Sequence, residues 1–425
     1  MRHLLVCLFA LCSVYCRAQN SPAQRPTYWG NIRPLVNVNC AGPCHHPGGV
    51  GPFSLLSYQD VAKRGKFIAK VTQMRYMPPF PADRTFRHYA NERGLSDAEI
   101  ALIQTWVRDG MSAGIPAQAG AKKGIVPLAN EPKTIAATPP NAPAPDLVLT
   151  MKPYVIPGNG SEDFRYFHIP MNLPADVWVQ QIEFVPGNRQ RLHHSRLMID
   201  STGTMAGIDG ISETDPRLRD FQKTPLADEF LYGWVPGNDV ITFPAGTAKR
   251  IRAGSDLLLN VHYAPAPKPE TDQSTVRLYF AKQPVQKAVQ TLTLTENNVS
   301  NQPFELSANT RPTFYMRYGP LPDSLHLLSV MPHMHKLGKT IKAFAITPDG
   351  DVINLVKIDE WDYNWQMTYL FEQPLTLPKG AVILAEATYD NTDQNPENPN
   401  HPARTVTYGW NSTDEMLNIV FYYVK

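Results

Sequence analysis

Cysteine is scarce in this chain, and its distribution is uneven. Only five cysteines occur in 425 residues, and none follows Cys44. Three of them, Cys7, Cys12 and Cys16, lie at the start of the chain, which leaves Cys40 and Cys44 for all the rest. One closely spaced pair in a chain of this length does not make a disulfide scaffold. The remaining pair therefore needs an explanation of its own.

Long apolar runs and an excess of either charge are also missing. The apolar run from Leu4 to Tyr15 is too short to span a bilayer, so no transmembrane segment is predicted. With its basic start it is typical of a signal peptide over residues 1–18, cleaved after Ala18, which predicts a periplasmic or secreted protein. Lipidation at Cys16 is the alternative. The net charge is +2 with both signs interleaved, and we therefore expect no nucleic-acid partner.

Proline, in contrast, is abundant, and it helps to divide the chain. The 40 prolines exceed the usual share of about 5% and favour turns, short strands and linkers. Residues 30–115 are predicted to form a small helical unit, with helices from Tyr58 to Thr72 and from Ser96 to Gly110. The second helix begins with a capping box formed by Ser96 and Glu99. The Pro/Ala-rich residues 116–145 are predicted to be an extended linker.

From residue 146 onward, short β-prone runs recur between proline, glycine and asparagine turns. The runs are VWVQQIEFV, RLHHSRLMI, SDLLLNVHY, TVRLYFA, HLLSVM, KAFAITPDGDVINLVKI, AVILAEATYD and MLNIVFYYV. Such spacing is typical of antiparallel sandwiches or barrels. We therefore predict a multidomain protein, in which a small all-α domain precedes two antiparallel β-sandwiches over residues 146–290 and 291–425.

The cysteine pair lies in the sequence CAGPCH, which is close to the C-x-x-C-H motif of covalent haem attachment but has one additional residue. On this interpretation Cys40 and Cys44 hold a c-type haem and His45 is an axial ligand. Met77 supplies the sixth ligand, with Met74 as the second choice. A disulfide, a redox dithiol and a metal site are the alternatives. Residues 37–115 also resemble the cytochrome c-like modules that are fused to bacterial oxidoreductases.

Five histidines occur in strand-like contexts. They are His193 and His194 in LHHS, His262 in NVHY, and His333 and His335 in PHMH. Side chains at i and i+2 of a strand share a face, so His333 and His335 can converge on one ion while the residue between them points away. The adjacent pair would diverge on a regular strand and needs a strand end or a bulge to bind together.

The types of donor indicate which metal these residues would bind. Imidazole together with thioether suits Cu(I), whereas zinc normally recruits cysteine or carboxylate. A dizinc hydrolase is therefore the weakest interpretation, because carboxylates are missing beside the histidines. The donors favour copper, but they do not by themselves identify a methionine ligand.

The order H-H, V-H-Y, H-x-H and D-E-M resembles the copper type II, ascorbate-dependent monooxygenases, the family of peptidylglycine α-hydroxylating monooxygenase and dopamine β-monooxygenase. The resemblance runs through residues 146–425 in the stretches FVPGNRQRLHHSRLMI, GSDLLLNVHYAP, SVMPHMHKLGK and YGWNSTDEMLN. It implies two jelly-roll-like sandwiches, each with one copper. The implied ligands of the electron-supplying copper are His193, His194 and His262. Those of the catalytic copper are His333, His335 and Met416.

Departures from the family bear on the substrate. Peptide-hydroxylating relatives have an arginine at the position of Met331 and a tyrosine at the position of Val420, while Asn418 is retained. A peptide carboxylate is therefore not the expected substrate, and we expect a more apolar pocket lined by Met331 and Val420. The alternating aromatics Trp361, Tyr363 and Trp365 are predicted to lie on the core face of a strand, with a substrate wall as the alternative.

These patterns together predict an exported monooxygenase that contains haem and two copper ions and hydroxylates a small organic substrate with O2. The haem unit is expected to dock near His193, His194 and His262 and to supply them with electrons. Ascorbate, another external reductant or a redox partner protein are alternative donors. The competing interpretation is a non-catalytic electron-transfer or copper-handling protein that uses the same ligands.

Overall fold

The computed structural model describes residues 25–47, 49–116, 144–218, 230–238, 240–409 and 411–425. The predicted signal peptide and nearly all of the predicted linker lie outside these ranges. The described residues are mostly antiparallel β-sheet with a few short helices. Within them, no helix combines the length and the apolar character that crossing a membrane requires.

The N-terminal part is helical. Two turns of π-helix, Tyr28–Ile32 and Asn37–Ala41, flank α1 (Arg33–Val36), and they are followed by α2 (Tyr58–Lys63), α3 (Gly65–Gln73) and α4 (Asp97–Arg108). The capping box at Ser96 is confirmed, because Ser96 and Glu99 cover each other's backbone N–H groups. The helices of this part share one core, which contains Tyr28, Ile103 and Trp106. The described N-terminal residues therefore form a small helical unit. Its cytochrome c-like character remains a proposal.

The prediction of one helix from Tyr58 to Thr72 is wrong at its centre. The chain leaves helical geometry at Arg64, where φ is −109° and ψ is 5°. Gly65 then starts α3 against the end of the unit, and a Cβ on Gly65 would lie 2.4 Å from the Met111 sulfur. Because Gly65 has no side chain, its backbone approaches Met111 more closely than any other residue would allow.

The first β-rich part spans residues 147–288. Its strands are β1 Leu147–Thr150, β2 Tyr154–Ile156, β3 Asp163–Ile169, β4 Val177–Val185, β5 Leu192–Asp200, β6 Ile211–Ser212, β7 Phe230–Trp234, β8 Val240–Thr242, β9 Thr247–Ile251, β10 Asp256–Tyr263, β11 Glu270–Asp272, β12 Thr275–Phe280 and β13 Lys287–Ala288. One sheet has the order β1-β12-β4-β9-β13, with β8 also paired to β4, and the other has the order β6-β3-β10-β5-β7. Strands β2 and β11 form a separate pair. Side chains of both large sheets share one core, so the two sheets pack face to face.

The second β-rich part spans residues 290–424. Its strands are β14 Gln290–Leu294, β15 Glu305–Leu306, β16 Thr313–Tyr318, β17 Leu325–Met334, β18 Gly338–Ile346, β19 Val352–Ile358, β20 Tyr369–Leu377, β21 Val382–Tyr389, β22 Val406–Thr407 and β23 Leu417–Val424, with a 3₁₀ turn at Glu296–Asn298. The two main sheets have the orders β14-β23-β17-β20 and β16-β21-β18-β19, and β15 pairs with β22. They also share one core. Each predicted β-prone run coincides with at least one strand, because alternation and turn residues act locally.

The aromatic stretch at residues 361–365 is not a strand. It lies in the loop between β19 and β20, so the expected strand face is wrong there, although Trp361 does pack against the core of the second sandwich. Two hydrogen bonds fix this loop, one from Trp361 N to Lys339 O of β18 (2.8 Å) and one within the loop from Trp365 N to Asp362 O (3.0 Å). The alternating aromatics are compatible with a strand, but these two hydrogen bonds determine the backbone conformation of the segment.

The segment that connects α3 with α4 packs on the second sandwich. Asp83 N donates to Lys357 O (2.8 Å), and the Tyr89 hydroxyl donates to Leu355 O (2.9 Å). The same segment reaches the first sandwich where Arg93 Nη1 donates to Pro236 O (3.3 Å). The contacts of this segment among the described residues are therefore with β19, β20 and residues 236–237, and docking near the three-histidine group stays a prediction.

Asn91 is a buried polar side chain that makes two hydrogen bonds across this contact. Its Nδ2 donates to Thr368 O (2.7 Å), and its Oδ1 accepts from Leu370 N (2.9 Å), while only 8% of the residue is exposed. Replacing Asn91 with leucine leaves two buried backbone groups unsatisfied. We expect the free energy of unfolding to fall by about 1–3 kcal/mol, as measured by denaturant titration. The exposed Asn297 provides the matched Asn→Leu control, and equal losses for the two variants would contradict this account of the contact.

Candidate metal centre

A β-bulge brings the adjacent histidines of β5 together. His262 on β10 lies opposite His194, but the next pair in the ladder is Tyr263 opposite Leu192. His193 is therefore the additional residue of a bulge, which is the irregularity that an adjacent pair requires. Its ring then lies on the same side as the others, with ring centroids 5.0 Å from His193 to His262 and 4.8 Å from His194 to His262. We call these three residues the three-histidine cluster.

Among the described residues, the Nδ1 atoms of the three-histidine cluster lack ordinary hydrogen-bond partners. Nδ1 of His262 lies 3.4 Å from Nδ1 of His194, and the buried Nδ1 of His193 has no partner within the described ranges. Two nitrogens bound to one ion at about 2.0 Å stand roughly 3–3.5 Å apart. The other ring nitrogen of His262 lies 3.6 Å from a carboxylate oxygen of Glu162. At this distance the two groups form no hydrogen bond within the described residues, but the negative charge favours a proton on Nε2 and a lone pair on Nδ1.

The register of β17 and β23 places the second set of candidate ligands on one face. His333 lies opposite Asn418 and Met334 opposite Leu417, so the continued register puts His335 opposite Met416. Alternation then directs His333, His335, Met416 and Asn418 to the same side. Met334 points the other way, into the core of the second sandwich. We call His333, His335 and Met416 the His-Met cluster.

Hydrogen bonds fix both imidazoles of the His-Met cluster in the same tautomer. His333 Nδ1 donates to Gln366 Oε1, and His335 Nδ1 donates to the backbone carbonyl of Asp414 (3.0 Å). Each ring therefore keeps its Nε2 lone pair, and the buried Nε2 of His333 has no partner in the described part of the chain. Second partners of this kind orient metal-binding histidines.

The carboxylate of Glu415 holds the two strands in position. It accepts hydrogen bonds from the backbone N–H groups of His335 (2.9 Å), Leu337 (2.8 Å) and Met416 (3.1 Å). Burial raises its pKa to about 8, although these three donors act in the opposite direction. One side chain thus links the end of β17 to the residue before β23 and fixes the distance between His335 and Met416.

The candidate ligands are buried and electrically neutral. Burial lowers the pKa of His262 to about 4 and that of His335 to about 3, the latter with help from the positive charge of Arg196. It also holds the pKa values of His194 and His333 well below the ordinary value. Metal ions bind neutral imidazole, so no proton competes for these nitrogens near neutral pH.

The sulfur of Met416 meets two hydrogen-bond donors. Asn418 Nδ2 lies 3.6 Å from it, and Nη1 of the buried Arg196 lies 3.9 Å from it. Arg196 comes from the first sandwich, where Asn260 Oδ1 accepts from its Nε (3.1 Å) and Nη2 (3.0 Å). The two-residue period of a strand could have indicated that both residues share the face of the histidines. Arg196 lies two positions after His194, and Asn260 lies two positions before His262.

Other supporting residues had no signal in the sequence. Gln366 is in a loop, Asp414 acts through its backbone carbonyl, and Glu162 precedes a strand of the other sandwich. Their roles depend on how distant segments pack, and composition or local spacing does not encode that. Only the strand-borne part of the centre was therefore accessible to sequence reasoning.

Met331 and Val420 do not line an open pocket. They face the first sandwich and belong to its core, with 5% and 6% of their surfaces exposed. A Cβ added to Gly233 of β7 would lie 2.8 Å from the Met331 sulfur, so the sandwiches are in close contact there. The expectation of an apolar pocket wall is corrected to an interdomain packing surface. The apolar side chains of Met331 and Val420 fill this contact between the sandwiches.

The donor set fits copper by its chemistry, although the ligand side chains are not arranged as a finished metal cage. No three His, Cys, Asp or Glu side chains in the described ranges stand in a ready metal-binding arrangement. The orphaned nitrogens of His193 and His333 nevertheless need a partner. Two imidazoles with one thioether, beside three imidazoles, suit copper more than zinc. The residues therefore fit the metal by donor chemistry and by their unused nitrogens.

The cysteine motif lies at the edge of the helical unit. Cys40 and Cys44 are half-buried and form no disulfide, and burial raises the pKa of Cys40 to about 12, with a further contribution from Cys44. His45 Nδ1 donates to Phe53 O (3.1 Å), which leaves Nε2 for an iron. A Cβ on Gly51 would lie 2.5 Å from the His45 ring, so the following loop closes tightly over it. These features fit a haem-binding histidine, and the haem itself remains a proposal.

The two methionines considered as sixth ligand differ in exposure. Met77 is half-buried just after α3, whereas Met74 is 66% exposed at the end of that helix. Met77 N donates to Val71 O (3.2 Å), which anchors the turn. Met77 therefore remains the preferred choice, since an axial thioether has to be shielded by protein.

Comparison with known proteins adds one informative match. Solved structures with some likeness include the major capsid protein P2 of bacteriophage PM2, with 8% identity over 65% of this chain and 96% of that chain at a TM-score of 0.26. Another is the infectious bursal disease virus VP2 subviral particle, with 10% identity over 65% and 71% of the two chains at a TM-score of 0.17. Likenesses at these TM-scores carry no argument. No curated protein matches. Residues 314–425, which contain the whole His-Met cluster, match the family model of the copper type II ascorbate-dependent monooxygenase, C-terminal domain, and this part of the chain is therefore similar to that family.

Proposed function

We propose that this protein is an exported copper-dependent monooxygenase that hydroxylates a C–H bond of a small organic substrate with O2. The observation that carries the proposal is the register of β17 and β23. It places His333, His335 and Met416 on one buried face, with the Nδ1 atoms of both imidazoles engaged and their Nε2 atoms directed away from those bonds. The family match over residues 314–425 supports the same activity.

The chain's own residues divide the work between two sites. The His-Met cluster offers two imidazoles and a soft thioether, a set that favours the reduced metal. The three-histidine cluster offers three similar nitrogens, which suit a site that only changes oxidation state. Bound copper would supply the electrons that let one oxygen atom of O2 enter a C–H bond while the other leaves as water. Burial of His194, His262, His333 and His335 keeps bulk water away from both clusters.

Electron supply through a c-type haem is part of the proposal. The CAGPCH motif, the hydrogen bond from His45 to Phe53 O, and the exported location expected from the N-terminus support it. The helical unit also contacts the start of β20, because Asn91 binds the backbone of Thr368 and Leu370. Gln366, which holds His333, is two residues before Thr368. Docking on this segment brings the unit to the catalytic sandwich.

The second candidate function is a non-catalytic protein that uses the same ligands to transfer electrons or to handle copper. A protein that only transfers electrons or handles copper needs no substrate pocket. The test therefore has to measure turnover rather than copper binding alone.

The proposal is tested with copper-loaded protein, ascorbate and isotopically labelled O2 over a panel of small organic substrates. We expect ascorbate-dependent O2 uptake that one class of substrate accelerates, with one labelled oxygen atom in the product. The His333→Ala variant should lose this activity, while His326→Ala, on the same strand but hydrogen-bonded to Thr376 at its far end, should keep it. Copper binding without labelled product from any substrate would favour the electron-transfer alternative.

A further inference from the structure

A buried polar loop joins β21 to β22 in the second sandwich. Residues 390–404 have the sequence DNTDQNPENPNHPAR, and we call them the asparagine-rich loop. Its four asparagines are all buried, with at most 9% of each exposed, and they are Asn391, Asn395, Asn398 and Asn400. A buried amide has to find its hydrogen-bond partners inside the protein, so these side chains determine the conformation of the loop.

Hydrogen bonds among these amides make the asparagine-rich loop rigid. Asn398 donates from Nδ2 to Asn391 Oδ1 (3.1 Å), and its own Oδ1 accepts from Asn400 N (2.9 Å). Asn391 in turn donates from Nδ2 to the backbone carbonyls of Leu306 (2.8 Å) and Arg404 (2.8 Å). A buried polar network whose members satisfy one another specifies a single arrangement of the chain.

The residue before this loop holds the backbone of Met416. Tyr389 is the last residue of β21, and its hydroxyl donates to the Met416 backbone carbonyl (2.9 Å), while only 1% of the tyrosine is exposed. Met416 itself lies just outside the strand ladder, because β23 begins at Leu417. The hydrogen bond from Tyr389 therefore fixes a candidate ligand at a place where the strand does not yet do so.

The loop also supports His335 from a second direction. Asn400 donates from Nδ2 to Thr413 O (3.3 Å), and the carbonyl of the next residue, Asp414, accepts the hydrogen bond from His335 Nδ1 (3.0 Å). The amide thus anchors the peptide that holds the imidazole in its tautomer. Two ligands of the His-Met cluster, Met416 and His335, are connected in this way to one buried network that supplies no ligand itself.

We propose that Tyr389 and Asn400 are positioning residues of the His-Met cluster, and that the asparagine-rich loop holds Met416 and His335 in place before metal binds. This inference rests on the proposed copper function and deepens it, because it assigns the geometry of that site to a loop outside the ligand set. Side chains that are already held in place lose less conformational entropy when they bind an ion. Loss of such a supporting partner costs about 10–100-fold in metal affinity or activity.

The test is the Cu(I) affinity of the His-Met cluster, measured by competition with a chelator in the His262→Ala background, which disables the three-histidine cluster. Tyr389→Phe removes one hydroxyl and keeps the ring, and we expect the affinity to fall about 10-fold or more. Tyr89→Phe is the matched control, since the hydroxyl of the equally buried Tyr89 also donates to a backbone carbonyl, Leu355 O (2.9 Å). It should lower stability to a similar extent and leave the affinity unchanged.

Asn400→Ala tests the support of His335 in the same assay. It should also lower the Cu(I) affinity, because the peptide that holds the imidazole loses its anchor. Asn301→Ala is its control, since Asn301 Nδ2 likewise donates to a backbone carbonyl of the second sandwich, Thr313 O (2.9 Å), and the affinity of this variant should equal that of the parent.

Metal-free protein gives an independent readout, the rate at which peroxide converts Met416 to its sulfoxide, followed by peptide mapping. Tyr389→Phe should raise this rate relative to that of Met316, which is equally buried in the core, and Tyr89→Phe should not. Tyr389→Phe with the affinity and oxidation rate of the parent overturns the positioning role and leaves the monooxygenase proposal intact. An equal loss of affinity in Tyr89→Phe also overturns it, because stability alone would then explain the effect. A parent that binds no copper overturns the proposed function together with the inference.

Discussion

Replacing Met416 with isoleucine is expected to abolish ascorbate-driven O2 consumption while copper stays in the three-histidine cluster. Met416 is fully buried, and its sulfur adds a soft donor to the face that carries His333 and His335. Loss of an outer partner of a metal ligand costs about 10–100-fold in affinity or activity, and loss of the ligand itself should exceed that. Copper content and O2 uptake measured on the same sample distinguish the two sites.

The matched control for this variant is Met316→Ile. Met316 is equally buried but lies in β16, in the core of the second sandwich. It should lower stability slightly, since swaps that conserve volume usually cost under about 1.5 kcal/mol, and it should leave O2 uptake unchanged. Equal uptake by Met416→Ile and wild type would show that the sulfur does not serve the catalytic site, and would favour the electron-transfer alternative.

Replacing Cys40 and Cys44 with alanine is expected to remove all covalently bound haem. In protein exported from cells that mature c-type cytochromes, the wild type should keep haem through denaturing electrophoresis and the double variant should lose it. His45→Ala should keep the attached haem but change its absorption spectrum, because the ring is the proposed axial ligand. His46→Ala serves as the control, since its Nδ1 bonds the neighbouring Pro47 O (3.0 Å). Wild-type protein without covalent haem would contradict the haem proposal.

The parts of the centre that follow strand geometry could be predicted from the sequence. The i, i+2 spacing put His333 and His335 on one face and Met334 on the other, and the ladder shows that arrangement. The need for a bulge at the adjacent histidines also followed from geometry alone, and the ladder has one at His193. Both follow from the alternation of side chains along a strand, which neighbouring residues alone determine.

The parts that depend on packing could not be predicted. Trp361, Tyr363 and Trp365 alternate as a strand would, yet hydrogen bonds to Lys339 and Asp362 turn them into a loop. Local alternation carries no information about these turns. The contact of the helical unit with residues 368–370 had no signal in the sequence for a similar reason, because Asn91 makes it through long-range hydrogen bonds.

The face that carries Met331 and Val420 has a different role from the one expected from the sequence. Met331 and Val420 were expected to line a pocket, because related proteins use those positions to hold a peptide. In this chain the close approach of Gly233 to Met331 turns the same face into interdomain core. The residue types show that this face is apolar, but the sequence does not indicate whether a substrate or the other sandwich covers it.

The most direct test of the central claim is the copper content of the loaded, dialysed protein. The account predicts two copper ions per chain in the wild type. It predicts one in His262→Ala, which removes a ligand of the three-histidine cluster, and one in His333→Ala, which removes a ligand of the His-Met cluster. A wild type that retains a single copper or none, or variants that retain as much as the wild type, would contradict the assignment of these residues to two copper sites.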